Sequence, residues 1–119
     1  MIKAVIFDLD NTLIDFMTMK NISCDAAITA MIGAGLSINK DKAMKELFSL
    51  YGKYGYEDKL IFQKFLKKLT KKVDYEILAS GIVAYRRVRT GFLEPYPHVS
   101  EVLFELKKRG IKLAIVSDA

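Results

Sequence analysis

Two short apolar runs at opposite ends of the chain constrain its fold most. Ile2, Lys3, Ala4, Val5, Ile6 and Phe7 form the first, and I-K-L-A-I-V from Ile111 to Val116 forms the second. Both are rich in β-branched residues and stop abruptly at polar ones, the first at Asp8 and the second at Ser117-Asp118. Such runs read as strands buried on both faces. Val99, Val102, Leu103 and Leu106 precede the second run at helical spacing. Pro97 suits the first turn of that helix, and Gly110 suits the position just past its end. A helix leading through glycine into a buried strand is half of a βαβ unit, so the two strands are expected to be parallel.

Between them the period changes. Cys24, Ala27, Ile28 and Met31 mark a helix closed by Gly33 and Gly35. A second begins near Lys40, with Ala43, Met44, Leu47, Phe48 and Tyr51 on one side, and Phe62, Phe65, Leu66 and Leu69 mark a third. Asp74 is a good N-cap for a fourth, whose stripe runs Ile77, Leu78, Ile82, Tyr85. Residues 16–92 therefore read as a helical module inserted between residues 1–15 and 93–119. The fold class is α/β.

Composition narrows the function. Of 119 residues 51% are hydrophobic and 28% charged, which suits a folded chain with a core rather than a disordered one. No apolar run approaches the ~18–20 residues of a membrane span, and Asp8 comes too early for a signal peptide. A single cysteine, Cys24, permits neither an internal disulfide nor a cysteine-based zinc site, so a cytoplasmic location is expected. Residues 40–72 hold ten lysines against Asp41, Glu46, Glu57 and Asp58, and the rest of the chain is nearly neutral. The lysines read as the solvated face of surface helices rather than as a nucleic-acid patch. The glycines of Tyr51-Gly52-Lys53-Tyr54-Gly55-Tyr56 suggest a helix ending in a turn, not a base-stacking motif.

Chemistry is expected at the strand ends, because ligands of open α/β sheets bind beyond the carboxyl ends of their strands. Asp8 and Asp10 stand there in D-L-D-N-T-L. Two carboxylates so close repel unless a cation or a shared proton separates them, and Mg²⁺ suits hard oxygen ligands. Ser117 and Asp118 bring a hydroxyl and backbone N–H groups to the same sheet edge, a combination that can cradle phosphate.

A-V-I-F-D-L-D-N-T-L resembles the first motif of the haloacid dehalogenase-like hydrolase superfamily, and L-A-I-V-S-D resembles its second. The inserted module is similar to that family's helical cap of the C1 type. P-Y-P-H-V, the following helix, K-K-R-G and the strand resemble the return segment. The resemblance implies a Rossmann-like core, here incomplete, and a phosphatase acting on a small phosphorylated metabolite. It implies that Asp8 is the nucleophile that forms an aspartyl-phosphate, and that Asp10 is first general acid and then base. Mg²⁺ would be held by the Asp8 carboxylate and Asp10. Ser117 and Asp118 would bind the phosphoryl group, and Thr12 would brace the loop. The second acid, Asp10, favours phosphoryl transfer over dehalogenation, since the family's dehalogenases lack it.

The family's pattern continues past Ala119 with a lysine and with acids that complete the metal site. The 119 residues are thus expected to be the N-terminal part of a longer hydrolase and nearly inactive alone. Removing the strand that family members place beside the first would open the edge at Val5, Ile6 and Phe7. Self-association through that edge is expected, and a non-catalytic interaction module is the alternative function. His98 reads as a surface histidine at a helix start, and Cys24 as a packing residue. The methionines at 17, 19, 31 and 44 read as helix packing, and Arg86, Arg87 and Arg89 as a solvated helix end. The triplet Asn21-Ile22-Ser23 reads as a chance glycosylation sequon.

Overall fold

A computed structural model describes residues 1–9, 15–92 and 96–116. The elements run β1 (Ala4–Asp8), α1 (Phe16–Gly33), α2 (Lys40–Tyr54), α3 (Ile61–Thr70), α4 (Tyr75–Gly91), α5 (Val99–Lys108) and β2 (Lys112–Val116). They separate into two compact units, Met1–Met19 with Phe92–Ala119, and Lys20–Gly91.

Caps and turn residues set the helix limits in the Lys20–Gly91 unit. The Asn39 side chain accepts from the Asp41 and Lys42 N–H groups and starts α2. Asp74 does the same for α4 through Glu76 and Ile77. Each satisfies backbone donors that the first turn of a helix leaves free. Asp41 in the first turn and Lys53 in the last oppose the α2 macrodipole. This helix runs through Gly52 and ends only at Gly55, whose φ of 91° favours glycine. The turn expected from the tyrosine-glycine segment therefore falls at its second glycine.

The faces these helices share are dry. Cys24, Ala27, Ile28 and Met31 of α1 meet Ala43, Leu47, Leu50 and Tyr51 of α2, with Ile61, Phe62, Phe65 and Leu66 of α3 and Leu78 of α4 in the same cluster. Of the residues that the apolar spacing in the sequence picked out in these helices, Met44, Phe48, Leu69, Ile77, Ile82 and Tyr85 are half-buried against this cluster, and the others lie within it. Packing is close enough that a Cβ on Gly81 would stand 2.2 Å from the Met31 Cε, so α4 approaches α1 where its side chain vanishes. Ser23 is fully buried, one residue before Cys24.

In the other unit β1 and β2 pair in parallel, from Ala4 opposite Lys112 to Asp8 opposite Val116. The first strand starts later than the apolar run does and takes in Asp8 as its last residue. Helix α5 precedes β2, and its end is closed by Gly110, at φ 76°, and by the Ile111 N–H, which donates to the Leu106 carbonyl. One expectation fails here. Pro97 lies in a turn outside the helix, and His98, in the left-handed region at φ 68°, is the N-cap residue. The turn before α5 takes up the proline, so the helix begins at Val99.

Candidate functional site

Asp8 closes β1 with its side chain exposed at the strand's carboxyl end, opposite Val116 of β2. Parallel pairing in this register sends both strands out of the sheet at the same level. The residues that follow, Asp10 and Thr12 after β1 and Ser117 and Asp118 after β2, lie outside the described residues, so Asp8 is the one proposed site residue whose surroundings are visible.

The donor chemistry of Asp8 suits Mg²⁺, which takes carboxylate oxygen and keeps much of its water. Among the described residues no group of three or more His, Cys, Asp or Glu side chains is arranged to hold a metal. Asp15 serves a different purpose. Its Oδ1 accepts from the Thr18 N–H at 3.1 Å and its carbonyl from the Met19 N–H, making it the N-cap of α1. The Tyr96 hydroxyl approaches the same oxygen at 3.5 Å. Desolvation first, and then the Asp15 charge, raise the Tyr96 hydroxyl above its usual range. His98 is exposed, with Nδ1 3.1 Å from the Glu101 carboxylate, a surface pairing between the N-cap and the first turn of α5.

A second polar constellation lies inside the Lys20–Gly91 unit and was not anticipated. Lys20 is only 5% exposed. Its ammonium donates to the Tyr85 hydroxyl at 2.8 Å and to the Tyr56 carbonyl at 3.0 Å, and stands 4.3 Å from the centre of the Tyr51 ring. Four residues on, the Cys24 Sγ–H points to the Tyr51 hydroxyl at 3.9 Å. Burial lowers the Lys20 pKa, because the charged form has lost water. The same cause pushes the Cys24 thiol up to about 11 and raises Tyr51 and Tyr85. A thiol so protonated is a poor nucleophile, which agrees with its reading as a packing residue. The available sequence signal for Lys20 was its place one turn before Cys24 on the buried stripe of α1.

Among the described residues no helix is long and apolar enough to cross a membrane. The family described as haloacid dehalogenase-like hydrolase matches residues 2–119. A protein of Methanocaldococcus jannaschii named glyceraldehyde 3-phosphate phosphatase is 37% identical over 99% of this chain and 52% of its own length. Proteins of the same name from Methanothermobacter thermautotrophicus and Pyrococcus furiosus are each 32% identical, over 99% and 98% of this chain and 52% and 49% of theirs. The chain thus spans about half the length of the curated relatives it matches.

Proposed function

Because the chain belongs to the haloacid dehalogenase-like hydrolases, we propose that the protein is a phosphatase of small phosphorylated metabolites working through Asp8. A three-carbon phosphorylated aldehyde is the first candidate substrate, since the relatives are named for glyceraldehyde 3-phosphate. The single observation that carries the reading is the parallel register of Asp8 with Val116, which supports a common mouth for D-L-D and S-D.

The proposed roles follow from the chemistry of each group. A carboxylate oxygen of Asp8 attacks phosphorus as the bond to the substrate's leaving oxygen breaks, and Asp10 gives that oxygen its proton. The carboxylate of Asp10 then takes a proton from water, whose oxygen displaces the Asp8 carboxylate and releases inorganic phosphate. The Ser117 hydroxyl and the Asp118 N–H orient the phosphoryl oxygens. Asp8 and Asp10 would hold Mg²⁺, which when bound offsets the charge gathered between carboxylate and phosphoryl group. Residues 1–15 and 93–119 form the catalytic core in this reading, with residues 16–92 as its helical cap, in a cytoplasmic protein.

Taken alone, these 119 residues, which span about half the length of the curated relatives, are expected to turn over weakly. The exposed Ile6, Ile115 and Val116 support self-association through the sheet, and light scattering that shows a stable monomer would sink that part. The central test is phosphate release from glyceraldehyde 3-phosphate and para-nitrophenyl phosphate, with Mg²⁺ and with chelator, beside an Asp8→Asn variant. Turnover should require the metal and fall by about 10³-fold or more in the variant. Turnover that survives Asp8→Asn overturns Asp8 as nucleophile.

A further inference from the structure

The lysines of residues 40–72 do not all spread over an open surface. Lys53 of α2 and Lys64, Lys67 and Lys68 of α3 line one cleft of about 400 Å³, wholly inside the Lys20–Gly91 unit. On α3 they fall at i, i+3 and i+4 and so share a face. Carboxylates meet two of them: Lys64 pairs with Asp58, and Lys68 with Glu46 at 2.8 Å. No carboxylate among the described residues pairs with Lys53 or Lys67, so the cleft keeps two positive charges in excess.

Tyr54, also in the lining and 45% exposed, helps to hold the charges in place. Its ring centre lies 4.0 Å from the Lys64 ammonium and 5.3 Å from that of Lys53. The negative face of an aromatic ring attracts ammonium groups and reduces their freedom to swing into solvent. Like charges gathered in a concavity repel one another, and the low-dielectric walls concentrate their field on what enters. A multivalent anion relieves that repulsion. Ser49, one helical turn before Lys53, adds a hydroxyl donor to the lining.

We propose that this cleft is a second, non-catalytic ligand site, which binds a compact polyphosphate chain, free or as the tail of a nucleotide. Several negative charges on adjacent phosphates suit lysine ammoniums, which are mobile point charges without the planar fork of arginine. The size favours a short ligand. A cleft of about 400 Å³ is in the small-molecule range, whereas a nucleic-acid strand needs a basic groove that tracks its backbone.

The site is separable from Asp8, so binding is measured by calorimetry on the Asp8→Asn chain at about 0.15 M salt. Inorganic tripolyphosphate, ATP and single-stranded oligonucleotides of increasing length are the probes. Tripolyphosphate should bind saturably at one site per chain. The double substitution Lys53→Gln with Lys67→Gln should weaken it about tenfold or more, while Lys107→Gln with Lys108→Gln on α5 should leave it unchanged. ATP bound as tightly as tripolyphosphate supports a site for the phosphate chain itself, and ATP bound more tightly supports the nucleotide form. Equal losses in the two double variants, or no saturation below about 1 mM, overturn the proposal. Affinity that grows with oligonucleotide length and exceeds that for tripolyphosphate overturns it in favour of a nucleic-acid surface. Both substituted lysines of the cleft are exposed, and a melting curve for each variant verifies the fold.

Discussion

The helical unit and the strand unit divide the labour of folding unequally. In Lys20–Gly91 four helices bury their apolar faces together, and Ile28, Met31, Leu47 and Phe65 have no exposure at all. In the other unit α5 has no buried residue, and Ile6 and Phe104 stand 68% and 71% exposed. The apolar content of both is similar in kind, since each has runs of Val, Ile, Leu and Phe. What differs is the number of layers. Helices that pack on one another supply two sides to a core, whereas a two-stranded sheet with one helix before it leaves faces uncovered. The first arrangement stabilises itself, and the second leaves apolar side chains exposed.

That contrast can be broken most sharply at Phe65. Phe65→Ala should cost about 3–5 kcal/mol in unfolding free energy, measured by urea denaturation, because the cavity has no solvent to fill it. A loss below about 1 kcal/mol would show that the helical core is not the stable part.

The next effect is one of pH. The folded Cys24 thiol keeps its proton to about 11 against an ordinary 9.0. Between these values the unfolded chain loses a proton that the folded chain retains, so stability falls as pH rises, by about 2–3 kcal/mol across the window. Lys20 acts in the opposite sense. Its folded pKa is lowered, so between that pKa and 10.5 the unfolded chain holds the extra proton and stability rises with pH. Cys24→Ala should therefore flatten the alkaline fall in melting temperature. An identical pH profile in that variant would remove the thiol from the account.

A cap is a smaller contribution. Asn39→Ala frees the N–H groups of Asp41 and Lys42 and should cost about 1 kcal/mol, read from the same urea curves. The smallest effect sharpens the comparison from the strand side. Ile115→Ser, at a residue 58% exposed, should change stability by about 0.5 kcal/mol or less. A loss as large as that of Phe65→Ala would mean that something covers β2 in solution, and would support the proposed self-association.

Much of the architecture was legible because local rules and tertiary demands agree. The stripe from Cys24 to Met31, the cap at Asp74 and the glycine after α5 each serve the element in which they stand, and burial follows the period. Pro97 misled because a favourable first-turn residue is equally at home in the preceding turn, and the chain placed it there. At the site, D-L-D and S-D were recognisable as motifs, while the level at which the two strands meet is a property of their pairing. Lys20 could not be foreseen as buried, since a lysine on an apolar stripe normally carries its charge out to water. Here the Tyr85 hydroxyl and the Tyr56 carbonyl, 65 and 36 residues away in sequence, replace that water.

From its sequence alone the chain determined where helices and strands form, which faces are apolar and which motif residues follow the strands. Those properties depend on neighbours a few residues apart, through periodicity, capping and backbone preference. The tertiary structure alone decided the alignment of Asp8 with Val116, the partners of Lys20 and the convergence of Lys53 with the lysines of α3. Each of these joins groups distant in sequence, and helix packing and strand register brought them together.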